Sequence, residues 1–113
     1  MIFNSLLNST YNLFTGLDNT IEIDLPHFGS SQVIDMKFMF NNCKNLTYIN
    51  FTNINTKLVK NMKDLFSSCH KLSSLDLSYF YTSSVTDMTF MFRQYQSLES
   101  LNLSNFNTKK LKI

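Results

Sequence analysis

Cys69 and His70 stand side by side, Cys43 lies 26 positions upstream of Cys69, and Asp64, Asp76 and Asp87 are spaced through the second half of the chain. A thiol beside an imidazole is the raw material of cysteine nucleophiles, and a carboxylate pair that of glycoside hydrolysis. Neither chemistry has support beyond residue type. Adjacent residues of a helix point apart, and no third group orients His70. His27, the other histidine, is not its equivalent in the internal repeat of the chain. Asp64, Asp76 and Asp87 are expected at a helix start and on a sheet face. The sequence contains no HExxH, CxxC, phosphate-cradling glycine loop or Gly-x-Ser-x-Gly. It therefore predicts no enzyme, and no catalytic, metal or cofactor site.

The elements that must position any functional group are copies of one another. At an offset of 26 residues, Met36 aligns with Met62 and Met88, Phe40 with Phe66 and Phe92, and Leu46 with Leu72 and Leu98. Ile23, Ile49, Leu75 and Leu101 fall together, as do Leu25, Phe51, Leu77 and Leu103, then Phe28, Ile54, Phe80 and Phe106, and Val33, Val59, Val85 and Leu111. No gap is needed. Units of this length bury an apolar face only by stacking on their neighbours. The chain reads as one domain, 1–113, with a degenerate capping coil over 1–20, full repeats over 21–46, 47–72 and 73–98, and a partial repeat over 99–113. The expected interior is Met36, Phe40, Cys43, Leu46, Met62, Phe66, Cys69, Leu72, Leu75, Leu77, Met88, Phe92 and Leu98.

Within a unit, Ile21, Ile23 and Leu25 alternate with polar residues, the period of a strand with one buried face, and Pro26 closes it. Matching strands, parallel and in register, are expected over 48–51, 74–77 and 100–103. A polar corner comes next, plugged by Phe28, Ile54, Phe80 or Phe106. Most corners lack glycine, so ordinary φ values are expected there. Met36, Met39, Phe40 and Cys43 then stand at offsets of three, four and seven, the spacing of one helical face, and the set recurs in the next two units. Asp35 and Asp87 would cap these short helices. The predicted fold is α/β: a leucine-rich-repeat-like right-handed solenoid with a parallel sheet on one side and short helices on the other.

A net charge of +2 is too small to imply nucleic acid or an anionic membrane, and Lys57, Lys60 and Lys63 read as a solvated face. No apolar run is long enough for a membrane span. Residues 1–10 have neither basic leader nor apolar core, so no signal peptide is expected there. Cys43 and Cys69 share a repeat position. They read as small buried hydrophobes, although a bridge is sterically conceivable and metal or redox use stays open.

The segment from Leu75 through Leu98, with Asp76, Ser78, Thr82, Val85, Met88, Met91 and Phe92, resembles the BspA-like leucine-rich repeat surface proteins, closest to the branch of mycoplasmas and other bacteria. Leu101, Leu103, Ser104, Phe106 and Thr108 continue the match. Cys43 and Cys69 occupy its cysteine position and Tyr95 departs from it. The resemblance implies a noncatalytic protein at the cell surface or secreted, binding host proteins, matrix or other cells. The chain nonetheless has no lipobox cysteine, and it is shorter than the usual arrays.

The pattern supports two functional expectations. The first is a protein-binding or adhesion module whose strand face presents Glu22, Asp24, Tyr48, Asn50, Asp76 and Asn102, with Tyr79 and Tyr81 nearby as aromatic anchors. The second is an assembly unit or intracellular adaptor that associates through the exposed ends of the stack, by self-association or with a protein that completes it. Nucleic acid is not an expected partner.

Overall fold

Burying one side chain of every three-residue segment and exposing its neighbours builds short strands rather than a broad sheet. The computed structural model describes residues 9–25, 31–94, 98–107 and 109, and the backbone of 111–112. Its strands are β1 (Glu22–Asp24), β2 (Tyr48–Asn50), β3 (Ser74–Asp76), β4 (Met88–Thr89), β5 (Ser100–Asn102) and β6 (Leu111–Lys112). They pair in parallel as β1 with β2, β3 with β5 and β4 with β6. Ile23 faces Ile49 and Leu75 faces Leu101, each one repeat apart. A second column of parallel bridges joins Ser9, Asp35, Asn61 and Asp87 at the same interval. Successive coils are thus laid on one another. The final pair breaks the period: Met88 faces Leu111, so Leu111 does not sit opposite Val85 as the gapless alignment expects.

Matching apolar side chains pile up between the ladders. Phe14, Phe40, Phe66 and Phe92 form a column of near-parallel rings, with centroids 5.4, 5.6 and 6.1 Å apart. Met36, Phe40, Cys43, Leu46, Met62, Phe66, Cys69, Leu72, Leu75, Leu77 and Met88 are buried, while Phe92 and Leu98 are partly buried against the same core. Ile54 and Phe80 are buried and Phe106 is partly buried at the corners. Phe28, Pro26, Gly29, His27 and Tyr95 lie outside the described residues. Among the ordinary-φ corners, Asn53 is an exception at φ 64°.

The expected α/β leucine-rich-repeat-like solenoid is overturned: no helix occurs among the described residues, and the strands form separate two-stranded parallel sheets rather than one sheet on one side. The segments with helical spacing are chains of tight turns. Phe38, Asp64 and Phe90 have φ near 60°, and so does Asn12 in the first coil. Four residues on, Gly16, Asn42, Ser68 and Gln94 do the same. A left-handed residue every fourth position cannot sit in a right-handed helix. The hydrogen bonds agree. Met36, Phe38, Phe40 and Asn42 donate their N–H groups to the carbonyls of Asn61, Lys63, Leu65 and Ser67 in the next coil. Between them, Met39 and Asn41 donate to Met36 and Phe38, three residues back. A helix would send the Phe40 N–H to Met36. Asp35, Asn61 and Asp87 do act as caps, their Oδ1 accepting the N–H two residues on, but the capped element is a turn. Successive turns still carry Met36, Met39, Phe40 and Cys43 inward, which is why the apolar spacing imitates a helix.

Candidate binding site on the strand face

Strands β2, β3 and β5 each end in an Asn or Asp that ties down the turn after it. Asn50, Asp76 and Asn102 accept the N–H of Thr52, Ser78 and Ser104 at 2.9–3.1 Å, an arrangement that short polar side chains make with their own backbone. Hydrogen bonds from the Ser78 hydroxyl and N–H hold the Asp76 carboxyl below the usual carboxylate range, against a small opposing effect of burial. The ionised carboxylate stays exposed at the rim.

The ladder is discontinuous. β2 and β3 are neighbours in the stack but belong to different sheets. Leu25 donates to the Asn50 carbonyl, and Leu77 to that of Asn102. Among the described residues the equivalent bond between the Phe51 N–H and the Asp76 carbonyl is missing, as is that between the Ser73 N–H and the Thr47 carbonyl. The interior stays closed below, where Ile49 and Leu75 are buried and the Phe51 and Phe80 rings meet edge to face at 4.9 Å. The surface has opened into a cavity of about 110 Å³ whose lining includes Tyr48, Asn50, Ser74, Asp76 and Tyr79 together with the apolar Ile49 and Phe51. Tyr48 is 48% and Tyr79 39% exposed. Phe51 stands where the other coils have Leu25, Leu77 and Leu103. A ring in place of a leucine side chain, pressed against Phe80, is the packing difference beneath the opening.

The expected face residues therefore divide. Tyr48, Asn50, Asp76 and Tyr79 converge on one cavity. Glu22 and Asp24 are exposed on β1, opposite Tyr48 and Asn50, and Asn102 is exposed on β5, opposite Asp76. Tyr81 is not part of the cavity. It sits at the next corner, its N–H donated to the Thr56 hydroxyl and its ring 5.8 Å from the Lys57 Nζ. The repeat alone does not announce the opening: Tyr48 and Asn50 meet their equivalents one unit on, Ser74 and Asp76, while Thr52 and Tyr79 join from non-equivalent positions of the two corners. The face also has one sign of charge: β1, β2, β3 and β5 contain Glu22, Asp24 and Asp76 and no lysine or arginine.

Other polar groups belong to the interior. Cys43 and Cys69 are buried and unbridged, their thiols donating to the carbonyls of Phe14 and Phe40 in the preceding coil. The Cys43 thiol is lowered from its ordinary value chiefly by a hydrogen bond with Cys69, with burial opposing and the backbone of Leu17 and Gly16 assisting. Cys69 thus faces the core rather than His70. Asp64 is buried 3.5 Å from the Arg93 guanidinium, and neither its Oδ1 nor the buried Ser67 Oγ has a hydrogen-bond partner. Among the described residues no cluster of three His, Cys, Asp or Glu side chains is placed to hold a metal ion, and no helix is long and apolar enough to cross a membrane.

A family model described as Mycoplasma protein of unknown function, DUF285, matches residues 8–113. No curated protein and no solved structure matches the chain.

Proposed function

The chain belongs to the DUF285 family, and we infer that it is a noncatalytic protein-binding module that engages its partner through the strand face. The observation that carries this reading is the opening between β2 and β3, where two half-exposed tyrosines flank a cavity of mixed polar and apolar lining. Aromatic rings with a polar tip are enriched at interface hot spots. Strand ends locked by Asx turns give them a rigid base, which lowers the ordering cost of association. The finer kinship with BspA-like surface proteins, and with it adhesion at the cell surface, is part of this proposal and rests on the motifs between Leu75 and Phe106.

The test is affinity capture from native lysate and from host-cell extract by the wild type, by Tyr48→Ala and by Asp76→Lys, with circular dichroism to verify folding. The reading expects a captured protein that both folded variants lose. Equal capture by all three removes this face. Matrix or membrane proteins in the catch favour adhesion, and abundant cytosolic proteins an adaptor. The second reading, assembly through an end of the stack, draws on an open cavity of about 420 Å³ whose lining includes Leu13, Phe14, Leu17, Ile23 and Leu25 of the first coil.

A further inference from the structure

We propose that the opening between β2 and β3 is a receptor for a single cationic side chain, lysine or arginine, presented by the protein partner. The proposal rests on the strand-face reading and names the chemistry recognised there. The cavity offers acceptors and π faces together. Asp76 supplies a carboxylate at the rim, and its main-chain carbonyl, which receives no ladder bond from the Phe51 N–H among the described residues, supplies a backbone acceptor beside it. An ammonium or guanidinium carries only donors and needs such a set.

The rings of Tyr48 and Tyr79 complete it. Cations attract the faces of aromatic rings within about 6 Å. Elsewhere this chain makes that contact with its own residues: Lys37 over Phe38, Lys57 by Tyr81 and Arg93 over Phe90, at 4.8–5.8 Å. On the strand face the rings are present and the strands contain no cation to match them. Glu22 and Asp24 on β1 extend the negative field that would draw a basic partner. An anionic group would meet Asp76, and a neutral sugar would forgo the charge.

The probe is the tripeptide acetyl-Gly-Lys-Gly-amide, with its arginine and Nζ-acetyl-lysine counterparts, titrated into the folded chain while tyrosine ring resonances are followed by NMR. The expected result is saturable shifts of Tyr48 and Tyr79 with the lysine or arginine peptide. Affinity should fall about tenfold in Asp76→Asn and about tenfold on acetylation of the lysine, and fall again as salt is raised. Equal binding of the acetyl-lysine peptide, or shifts confined to Tyr81 and Tyr11, overturns the proposal. So does undiminished binding to a folded Tyr48→Ala/Tyr79→Ala variant. The two readings separate cleanly. If a captured partner depends on Tyr48 and Asp76 while neither charged peptide binds or competes, the cation receptor is wrong and the binding face stands; if capture ignores both residues, the face itself falls.

Discussion

The rings of Phe40 and Phe66 lie face to face, centroids 5.6 Å apart and planes within 7°, although a full repeat of chain separates them. Phe14 and Phe92 extend the same column on either side, and Phe51 closes on it edge-on at 5.6 Å from Phe40 and 5.9 Å from Phe66. Such offset and edge contacts add to the burial of each ring, so the column joins four successive coils through apolar contact.

Phe66, fully buried at its centre, is the residue whose loss is felt most widely. Phe66→Ala is expected to destabilise the chain by about 3–5 kcal/mol, from lost transfer energy and the cavity left behind. Urea unfolding measures it, and a loss below about 1 kcal/mol would be incompatible with this column.

The turn side makes a prediction of opposite sign to that of a helix. Asn42 has φ 62°, and its equivalent in the first coil is a glycine, Gly16, at φ 72°. Asn42→Gly should be neutral or slightly stabilising, because glycine enters the left-handed region freely, whereas mid-helix glycine costs about 0.5–1 kcal/mol relative to alanine. Asn42→Val should cost about 1–2 kcal/mol, because the left-handed region tolerates the short polar side chain of asparagine but crowds a β-branched one. Thermal unfolding of the two variants reads both signs.

Phe51→Leu, which restores the residue type of the neighbouring coils, is expected to let β2 and β3 pair and the cavity close. One recovered backbone hydrogen bond, about 1 kcal/mol, should slow amide hydrogen exchange at position 51 by roughly fivefold, and lysine-peptide binding should weaken. Unchanged exchange would show that the ring does not hold the ladder apart.

The carboxylates give a pH dependence. Asp76 is lowered by hydrogen bonds from the Ser78 side chain and backbone, and Asp87 by those of Thr89, with Lys63 and Lys37 adding to the effect. A carboxyl whose folded value lies below its unfolded value contributes stability above the unfolded value, about 3.9. That contribution disappears as pH falls through the lower folded value. The unfolding midpoint should therefore be flat above about pH 5 and decline below about pH 4. The double variant Asp76→Asn/Asp87→Asn should flatten part of that decline, and an unaltered acid limb would refute the assignment.

Much of this molecule is legible in the residues alone. The repeat interval, the inward set from Met36 to Met88, the parallel register of Ile23 on Ile49 and the exposure of Glu22, Asp24 and Asp76 all come from spacing and polarity, because each is repeated and each is local. The turns in place of helices are not legible. Offsets of three, four and seven carry Met36, Met39, Phe40 and Cys43 inward whether the Phe40 N–H returns to Met36 or reaches across to Leu65. Only the neighbouring coil, by offering its carbonyl, decides between them. The binding cavity is further removed still. Tyr48 and Asp76 can be assigned to one face from alternation, but the gap that joins them to Tyr79, above the Phe51 ring packed against Phe80, cannot. Likewise the pairing of Met88 with Leu111 is set by the path of the last coil, not by the period. Pattern determines which side of the chain each residue takes; contact between coils decides how far apart those sides are held.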